Sequence, residues 1–421
     1  MIQRFAFDNV LSFKGPQEFT MLAAPRQERL FDDSQNFSEH TKDSKTLLSG
    51  VVYGANASGK SNLIQALFHF HRFVVTGNQN LENQELSVPN FRLDEAFTHK
   101  ASVFEMECRW KGINYRYGFS LTARAIEEEW LYVKDKRESE VFYRNRQDFT
   151  IPAKNKILNE LTSKRMVHSK ALLVTIGAQF NDVSCAGFLD WVYHLNIISG
   201  IEDRLYRDYT VRRMKESNDF SRKVVDLIKF ADFGIEDISI SSMPRHNPTF
   251  NSAGEFESST IDDLISKRFV MNSAGKPELK DFHFGRFESE GTQKFAHIAG
   301  PILDILEKGG ILVIDELDTK LHPELTERLV LMFHNKMLNS NHAQLIFTSH
   351  NTNLLGARIF RRDQIFFVEK DPFGASHLYS LATFKKNGKS PRNDEDLEAN
   401  YLKGRYGALP FLGDFDNRLN R

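Results

Sequence analysis

Apolar residues along the chain recur with two periods, one typical of strands and one typical of helices. Residues 2–7 alternate and favour an edge strand. The polar residues 26–45 predict a loop, and the short apolar run at 47–53 predicts a buried strand. From 63 to 74 the apolar positions repeat at helical spacing. The first part of the chain is therefore predicted to run from strand through a glycine-containing loop into a helix.

The rest of the chain changes character several times. Residues 101–134 alternate in three runs and predict an antiparallel meander, whereas 151–235 are predicted to be mainly helical. Residues 244–262 are rich in Pro, Ser, Asn and Gly, which indicates a loop or a hairpin tip. Residues 290–360 alternate between helical and strand patterns, and a further strand follows. This alternation predicts an α/β fold with a mainly parallel sheet covered by helices.

Composition excludes several classes of protein. The 421 residues are 41% hydrophobic and 26% charged, so the chain is globular rather than disordered. The 55 basic and 56 acidic residues nearly cancel, which argues against coating nucleic acid through bulk charge. A local basic patch remains possible. The length exceeds what one core usually fills, so two lobes or domains are expected.

Cysteine content and apolar run lengths bear on the compartment. Cys108 and Cys185 are far apart and do not have metal-ligand spacing, so neither a zinc site nor a disulfide framework is expected. No run has the length of a signal-peptide core or approaches the ~18 apolar residues of a membrane span. We therefore expect a cytoplasmic protein with no membrane partner.

The first candidate for chemistry is a glycine-containing loop between the predicted strand and helix. It matches the phosphate-loop pattern G-x-x-x-x-G-K-[ST] and consists of Gly54, Ala55, Asn56, Ala57, Ser58, Gly59, Lys60 and Ser61, followed by Asn62. Its glycines let backbone N–H groups point at phosphate oxygens, and the helix N-terminus adds partial positive charge. Lys60 is predicted to reach the β- and γ-phosphates, and Ser61 to ligate Mg²⁺. The sequence thus predicts binding of a nucleoside triphosphate.

Two carboxylates end the second candidate, the strand Ile311–Asp315 and the residue after it. Ligands of open α/β sheets bind at the carboxyl ends of strands, which is where Asp315 and Glu316 are predicted to lie. Asp315 is predicted to hold Mg²⁺, and Glu316 to act as general base on the attacking water. Four apolar residues before two acids can equally end at a solvated turn. Only the combination with the phosphate loop favours the catalytic interpretation.

Two shorter features refine the candidate site. Ser289-Glu290-Gly291-Thr292-Gln293 precedes an amphipathic helix and forms a second potential anion-binding helix end. His350 follows the predicted strand that ends near Thr348, where an imidazole could contact a γ-phosphate and the attacking water. Each has a simpler interpretation. Ser289 could only cap its helix, and His350 could cap the helix that follows it.

One basic cluster leaves two interpretations open. Its residues are Arg204, Arg207, Arg212, Arg213 and Lys215, with Tyr206 and Tyr209 between them. They could form a solvated helix face with local salt bridges to Glu202, Asp203 and Asp208. They could also contact the phosphates of a nucleic acid.

Together, these motifs resemble the ATPase heads of the ABC type found in SMC, RecF and OLD proteins. The resemblance rests on GANASGKS, SEGTQ, ILVIDELD with the following TKLHP, and TSHN, in that order. FDNVLSFKG, VVYGANASGKSNLIQAL and the tail YLKGRYGALPFLGDF are in addition similar to bacterial AAA-type ATPases of the RloA and AbiLi group. The similarity extends over nearly the whole chain and is loosest in its middle third.

The resemblance implies a role for each matched residue. Lys60 and Ser61 bind phosphate and metal, Asp315 holds Mg²⁺, Glu316 activates water and His350 is the switch histidine. Ser289 and Gly291 complete the ATP site of a second subunit, and Asp318 lies at the dimer seam. Gln179 is the candidate for a metal- and water-contacting glutamine, with a surface glutamine as the alternative. Glu290 replaces the first of the two glycines in the usual L-S-G-G-Q signature, which places an acid near the γ-phosphate.

The resemblance also implies an architecture. It consists of an N-terminal ATPase lobe with an antiparallel β subdomain at 1–135, a mainly helical insertion at 136–280, and a C-terminal ATPase lobe at 281–421. Around this core the implied protein is a homodimer that sandwiches ATP and Mg²⁺, with a higher oligomer as the alternative.

The implied biological role is anti-phage defence by abortive infection. The ATPase would control a separately encoded effector, a nuclease or toxin. The alternatives are a RecF- or SMC-like ATPase of DNA repair that contacts nucleic acid, and a nucleotide-gated scaffold that does not hydrolyse ATP.

Overall fold

The computed structural model describes most of the chain. The described residues are 1–24, 36–41, 44–77, 79, 84–200, 204–231, 234–244, 249–250, 256–257, 260–385, 391 and 395–409. Unit 1 comprises Met1–Ile198, Gly309–Glu316 and Val330–Arg421, and unit 2 comprises Ser199–Lys308 and Leu317–Leu329. Each of these two compact units is assembled from segments that are distant in sequence. The predicted division into 1–135, 136–280 and 281–421 stays a prediction.

The first half of the chain contains the following elements. The strands and helices in chain order are β1 Ile2–Asp8, β2 Gln17–Thr20, β3 Phe37–Thr41, β4 Ser44–Leu47, β5 Ser49–Tyr53, α1 Lys60–Val75, α2 Glu95–Thr98, β6 Ser102–Trp110, β7 Ile113–Leu121, β8 Ile126–Lys134, β9 Glu138–Asn145, β10 Asp148–Thr150, α3 Lys156–Ser163, α4 Leu173–Gln179, α5 Val183–Val192 and β11 Leu195–Ser199.

The second half continues in the same way. Its elements are α6 Arg204–Glu216, α7 Asn218–Phe230, β12 Asp237–Pro244, β13 Thr249–Phe250, β14 Phe256–Glu257, β15 Thr260–Met271, β16 Pro277–His283, α8 Phe284–Phe287, α9 Glu290–Lys308, β17 Ile311–Asp315, α10 Pro323–His334, β18 Gln344–Thr348, α11 Asn353–Gly356, β19 Ile365–Lys370, β20 Ser376–Ser380 and α12 Leu397–Leu402.

A seven-stranded antiparallel sheet forms one layer of unit 1. Its order is β10-β9-β8-β7-β6-β1-β2, so the predicted meander is present as β6, β7 and β8 within a larger sheet. The prediction that the first strand lies at an edge is wrong, because β1 pairs with β2 on one side and β6 on the other. The predicted loop at 26–45 is also partly wrong. Among its described residues, β3 pairs with β4, and Phe37 lies opposite Leu47.

The phosphate-loop strand lies inside a second sheet of unit 1. Its order is β11-β17-β18-β5-β19-β20, with β17, β18, β5 and β19 running parallel. These parallel strands are buried on both faces, which explains why their sequences are apolar runs without alternation. The α/β class with a parallel core and an antiparallel subdomain is therefore confirmed. Because the strands are parallel, the segments after β17, β18 and β5 all emerge at one edge.

Aromatic packing holds α1 in unit 1. Phe70 of α1 stacks on Phe119 at 5.9 Å between ring centroids and meets Phe5 edge-on at the same distance. All three rings are fully buried. Aromatic pairs of this geometry contribute about 0.5–1.5 kcal/mol beyond their buried area. The helix that carries the phosphate-loop lysine is thus anchored through its apolar face.

Unit 2 combines helices with a small sheet. β12, β15 and β16 form an antiparallel sheet. These strands follow the helices α3 to α7 of the segment 151–235 and begin within the last part of the segment 136–280 that the resemblance implied to be mainly helical. α6 packs against α9 at Gly300, where an added Cβ would lie 2.2 Å from the Thr210 hydroxyl. Thr210 also donates a hydrogen bond to the carbonyl of His297. A residue without a side chain therefore allows the close approach of the two helices.

Protonation of His334 is expected to destabilise unit 1. The His334 ring is buried at the end of α10, 2.7 Å from the Ser49 hydroxyl, and burial lowers its pKa to about 4. Its ordinary pKa is about 6.5, so the unfolded chain binds an extra proton between pH 6.5 and 4. Stability therefore falls as pH drops through this window, by on the order of 3 kcal/mol in total.

Chemical denaturation at several pH values tests this expectation. Comparison with His334→Gln cancels the contributions of the other titrating groups, because the amide can bond Ser49 but does not titrate. Wild type should lose stability relative to the variant as pH falls from 6.5 to 4. A constant difference across that range would contradict the proposed burial of a neutral ring.

Candidate functional site

The phosphate loop of unit 1 connects β5 to α1. Gly59 ends the loop with φ of +115°, and a Cβ there would lie 2.4 Å from the Ser376 hydroxyl and 2.9 Å from that of Ser12. Only glycine fits this backbone and this space. Lys60 is buried, and its Nζ donates to the carbonyls of Gly54 and Ala55 at 2.9 and 3.0 Å. The loop therefore curls around the lysine ammonium, as a phosphate cradle requires.

Three polar side chains brace this loop. Asn62 donates to the Ser12 hydroxyl at 2.7 Å, and Ser12 lies 2.7 Å from the Ser376 hydroxyl. Ser376 in turn donates to the carbonyl of Ser58 at 2.6 Å. Ser12 and Ser376 come from opposite ends of the sequence, and sequence reasoning missed both. The sequence feature that could have pointed to Ser12 is its place as a single polar residue in the otherwise apolar segment VLSF.

The two carboxylates lie at the end of β17, as predicted. Thr348, fully buried at the end of β18, donates to Asp315 Oδ1 at 2.7 Å. The same hydroxyl accepts the backbone N–H of Glu316 at 2.7 Å. Glu316 has φ of +57°, a left-handed conformation that is uncommon for a residue with a side chain. A single buried hydroxyl therefore orients the Asp315 carboxylate and holds the backbone of Glu316, and this role of Thr348 was not predicted.

His350 lies two residues beyond β18, at the same edge of the parallel sheet. The backbone N–H of Ser349 donates to the carbonyl of Val52 at 3.1 Å, which joins this segment to the strand that precedes the phosphate loop. The His350 side chain is exposed. Asn351 N–H bonds the Ser349 hydroxyl at 2.9 Å and so shapes the turn that carries the histidine. The structure thus brings the segments of Lys60, Asp315, Glu316 and His350 to one edge.

Gln179 differs from the other candidates of unit 1 in its position. It is the exposed last residue of α4, a helix that packs against α1, α3 and α5. Unlike Asp315, Glu316 and His350, Gln179 does not follow a strand of the parallel sheet. Its role as a metal contact stays a prediction.

The signature segment of unit 2 forms the start of α9: Ser289 lies directly before the helix, and residues 290–293 make up its first turn. The Ser289 hydroxyl accepts the backbone N–H of Thr292 at 3.1 Å and so caps the helix. A Cβ on Gly291 would lie 2.6 Å from the carbonyl of Lys320, so the loop around Asp318 approaches too closely for a side chain. Glu290 is exposed and pairs with Lys320 at 3.3 Å. The unusual acid of the signature therefore has a basic partner inside unit 2.

A buried lysine joins the signature helix to the loop that follows Glu316. Lys294 is 1% exposed, and its Nζ donates to the carbonyls of Leu317 and Thr319 at 3.0 and 2.5 Å. Asp318 lies between these two residues. Burying an ammonium is costly unless its donors are satisfied, so this lysine holds the backbone around Asp318 firmly against α9. It was not predicted, because its sequence context is that of an ordinary amphipathic helix.

The described basic side chains of α6 are largely paired with acids of unit 2. Arg207 pairs with Asp263 at 3.1 Å and Lys215 with Asp262 at 2.5 Å. Arg213 pairs with the buried Asp304 at 2.9 Å. These partners are not the predicted Glu202, Asp203 and Asp208, of which the first two lie outside the described residues. The pairs favour the salt-bridge interpretation of this cluster. Arg212 is the most exposed of the described members, and the Arg204 side chain lies outside the description.

The parallel sheet and the loop that follows β5 define an α/β protein of the P-loop nucleotide-binding class. The family model "AAA domain, putative AbiEii toxin, Type IV TA system" matches residues 51–356, and the chain belongs to this family. The matched segment contains the phosphate loop, the signature loop, both acids and His350. No helix in the described part of the chain is long and apolar enough to cross a membrane.

Other comparisons are more distant. None of the curated proteins matches the chain. The SMC head domain from Thermotoga maritima is 15% identical with a TM-score of 0.42, over 90% of this chain and 98% of that chain. An SmcHead bound to the C-winged helix domain of ScpA is 12% identical with a TM-score of 0.42, over 90% of this chain and 97% of that chain. Neither similarity is close enough to assign a function.

Proposed function

We propose that this protein is a Mg²⁺-dependent ATPase of the ABC type. The observation that carries the proposal is the convergence of the phosphate loop and the Thr348-linked acids at one edge of one sheet. Lys60 would exchange its two carbonyl partners for the β- and γ-phosphates, and the loop N–H groups would bind their oxygens. Ser61 and Asp315 would hold Mg²⁺, which neutralises phosphate charge when bound.

Glu316 is proposed to accept the proton of the attacking water. Its backbone N–H is held by Thr348, so the side chain extends from a fixed point of the backbone at the end of β17. His350 is proposed to contact the γ-phosphate from the end of the neighbouring strand. Loss of that phosphate on hydrolysis would then remove a contact of the histidine, and so report the state of the nucleotide.

Two copies of the chain are proposed to enclose two ATP molecules. The N-terminus of α9 offers Ser289, Gly291 and the first-turn N–H groups as an anion-binding surface. In this arrangement that surface completes the ATP site of the partner copy, with Asp318 at the seam. Gly291 and Lys294 tie the segment of Asp318 to the signature helix, so both would respond together when the two copies close.

A Ser289→Arg variant tests the shared site. The added guanidinium would fill the space proposed for the partner's γ-phosphate, so turnover should fall by at least about 10²-fold. Binding of ATP to the monomer should change little, because the phosphate loop is untouched. Turnover and equilibrium ATP binding measured on the same preparation separate the two effects. Full turnover in this variant would exclude the shared site.

The biological role is proposed to be anti-phage defence by control of a separately encoded effector. The support is the family description, which names a toxin of a toxin–antitoxin system, together with the sequence resemblance to the RloA and AbiLi group. A nuclease-like or toxin-like reading frame beside the gene would support this role. Protection of cells from phage should then require both genes and be lost in Lys60→Ala.

The DNA-repair alternative makes a different prediction for the basic cluster. Arg212 is exposed, and its closest acid, Glu216, is 4.0 Å away, so it is the best placed of the described cluster to contact DNA. Salt-dependent DNA binding that Arg212→Glu abolishes would favour that alternative. DNA binding unaffected by the change would remove this cluster from consideration.

A further inference from the structure

An exposed aromatic ring lies near the phosphate loop without a role in the site described above. Phe373 is 85% exposed in the turn between β19 and β20. β19 runs parallel to β5, so the turn after it emerges at the edge where the phosphate loop begins. Three residues later, Ser376 bonds the carbonyl of Ser58 inside that loop. The position of this turn is thus coupled directly to the phosphate loop.

The turn itself is rigid. Asp371 Oδ1 accepts the backbone N–H groups of Phe373 and Ala375, both at 2.8 Å. The backbone N–H of Asp371 donates to the carbonyl of Ala375 at 2.8 Å, which closes the turn. Gly374 has φ of +85°, a conformation that glycine adopts without strain. Phe373 is therefore held out toward solvent by a preorganised backbone.

A second exposed apolar side chain lies against the same turn. Leu93 is 69% exposed, and its Cδ1 lies 2.5 Å from where a Cβ on Gly374 would be. The loop that carries Leu93 is attached to the corner after β1. Asn9 Nδ2 donates to the carbonyls of Phe97 and Lys100, and Lys14 pairs with Asp94 at 2.7 Å.

Ser12, in that same corner, contacts both Asn62 and Ser376. The segments of Ser12 and Ser376, which both contact the phosphate loop or its helix, therefore meet at one small apolar surface formed by Phe373 and Leu93. A functional surface is a better explanation than chance, because rigid elements hold both side chains exposed at a single place.

We propose that Phe373 and Leu93 form the contact surface for the base of the nucleotide whose phosphates the loop at 54–61 binds. This inference rests on the proposed function. A nucleotide base has flat apolar faces, and an aromatic ring or an aliphatic side chain covers such a face well. The segments of Ser12 and Ser376, which brace the loop, also carry this surface. Phosphate binding and base binding thus share one rigid frame.

Binding of two ligands to three proteins tests the proposal. The ligands are ATP and inorganic tripolyphosphate, each with Mg²⁺, and the proteins are wild type, Phe373→Ala and Lys60→Ala. Phe373→Ala should weaken ATP binding roughly 10-fold, the size expected for loss of one stacking contact, and leave tripolyphosphate binding unchanged. Lys60→Ala should weaken the binding of both ligands. Met337→Ala removes another exposed apolar side chain, 91% exposed, and is the matched control, expected to bind both ligands as wild type does.

The outcomes separate this proposal from the proposed function. ATP binding by Phe373→Ala as tight as that of wild type overturns the base contact and leaves the ATPase assignment intact. Equal weakening of ATP and tripolyphosphate binding also overturns it, because the ring would then act only through the loop. A wild-type protein that binds neither ligand overturns the proposed function and this inference with it.

Discussion

Glu316→Gln should lower ATP turnover by about 10²–10⁴-fold while leaving ATP binding intact. The amide has the shape of the carboxylate but cannot accept the proton of the attacking water. Thr348 bonds the backbone of residue 316 rather than its side chain, so the position of the residue should not change. With hydrolysis blocked, ATP-bound dimers should accumulate. Steady-state turnover and light scattering with ATP and Mg²⁺ measure the two effects.

Glu324→Gln provides the matched control for this experiment. Glu324 is an exposed glutamate in the first turn of α10, loosely paired with Arg328 at 3.9 Å. Its turnover and its assembly state should equal those of wild type. Unchanged turnover in Glu316→Gln would exclude Glu316 as general base. A Glu316→Gln protein that stays monomeric with ATP and Mg²⁺ would contradict the proposed ATP-enclosing dimer.

Arg144→Met should destabilise the protein by about 3–5 kcal/mol. Arg144 and Glu129 form a fully buried ion pair at 3.3 Å between β9 and β8. Arg144 also donates to the carbonyls of Ala171 and His168, and Glu129 accepts the N–H groups of Leu173 and Val174 at the start of α4. Removing one partner leaves a buried charge and several unpaired polar groups. Burial already raises the pKa of Glu129.

An exposed ion pair close to Arg144, between the residue after β9 and a residue of β8, supplies the control. Arg146 pairs with Glu127 at 2.8 Å, with side chains 73% and 23% exposed, so Arg146→Met should cost about 1 kcal/mol or less. Denaturant unfolding of both variants measures the difference. The double variant Glu129→Gln plus Arg144→Met should lose less than the sum of the single changes, since no uncompensated charge remains. Equal costs for Arg144→Met and Arg146→Met would refute the buried network.

Sequence patterns predicted the elements of the parallel sheet well. The strands β5, β17, β18 and β19 can be recognised from short apolar runs alone. A strand buried on both faces is apolar throughout, so no choice between a buried and an exposed face has to be made. The phosphate loop and the acids at the end of β17 follow from the same local order. The pairing of β1 did not follow, because an alternating strand looks the same at an edge and inside a sheet.

The residues that hold the site in place were the ones missed. Thr348, Ser12 and Ser376 lie 32 to 364 positions from the residues they orient or contact, and nothing in their immediate neighbours marks them. Lys294 has the spacing of a helix face and became recognisable only through its two carbonyl partners in the loop of Asp318. Long-range hydrogen bonds leave no periodic pattern in a sequence, so these roles could not be inferred from it.

Local chemistry in the chain alone was thus sufficient to establish a phosphate loop, an acidic strand end and an α/β fold. Each is a short run of residues whose backbone and side chains act on near neighbours. The three-dimensional fold added the threonine that holds Asp315 and the backbone of Glu316, the division into two units and the exposed Phe373 beside Leu93. These features depend on which distant segments approach each other, and that is set by packing and pairing across the whole chain.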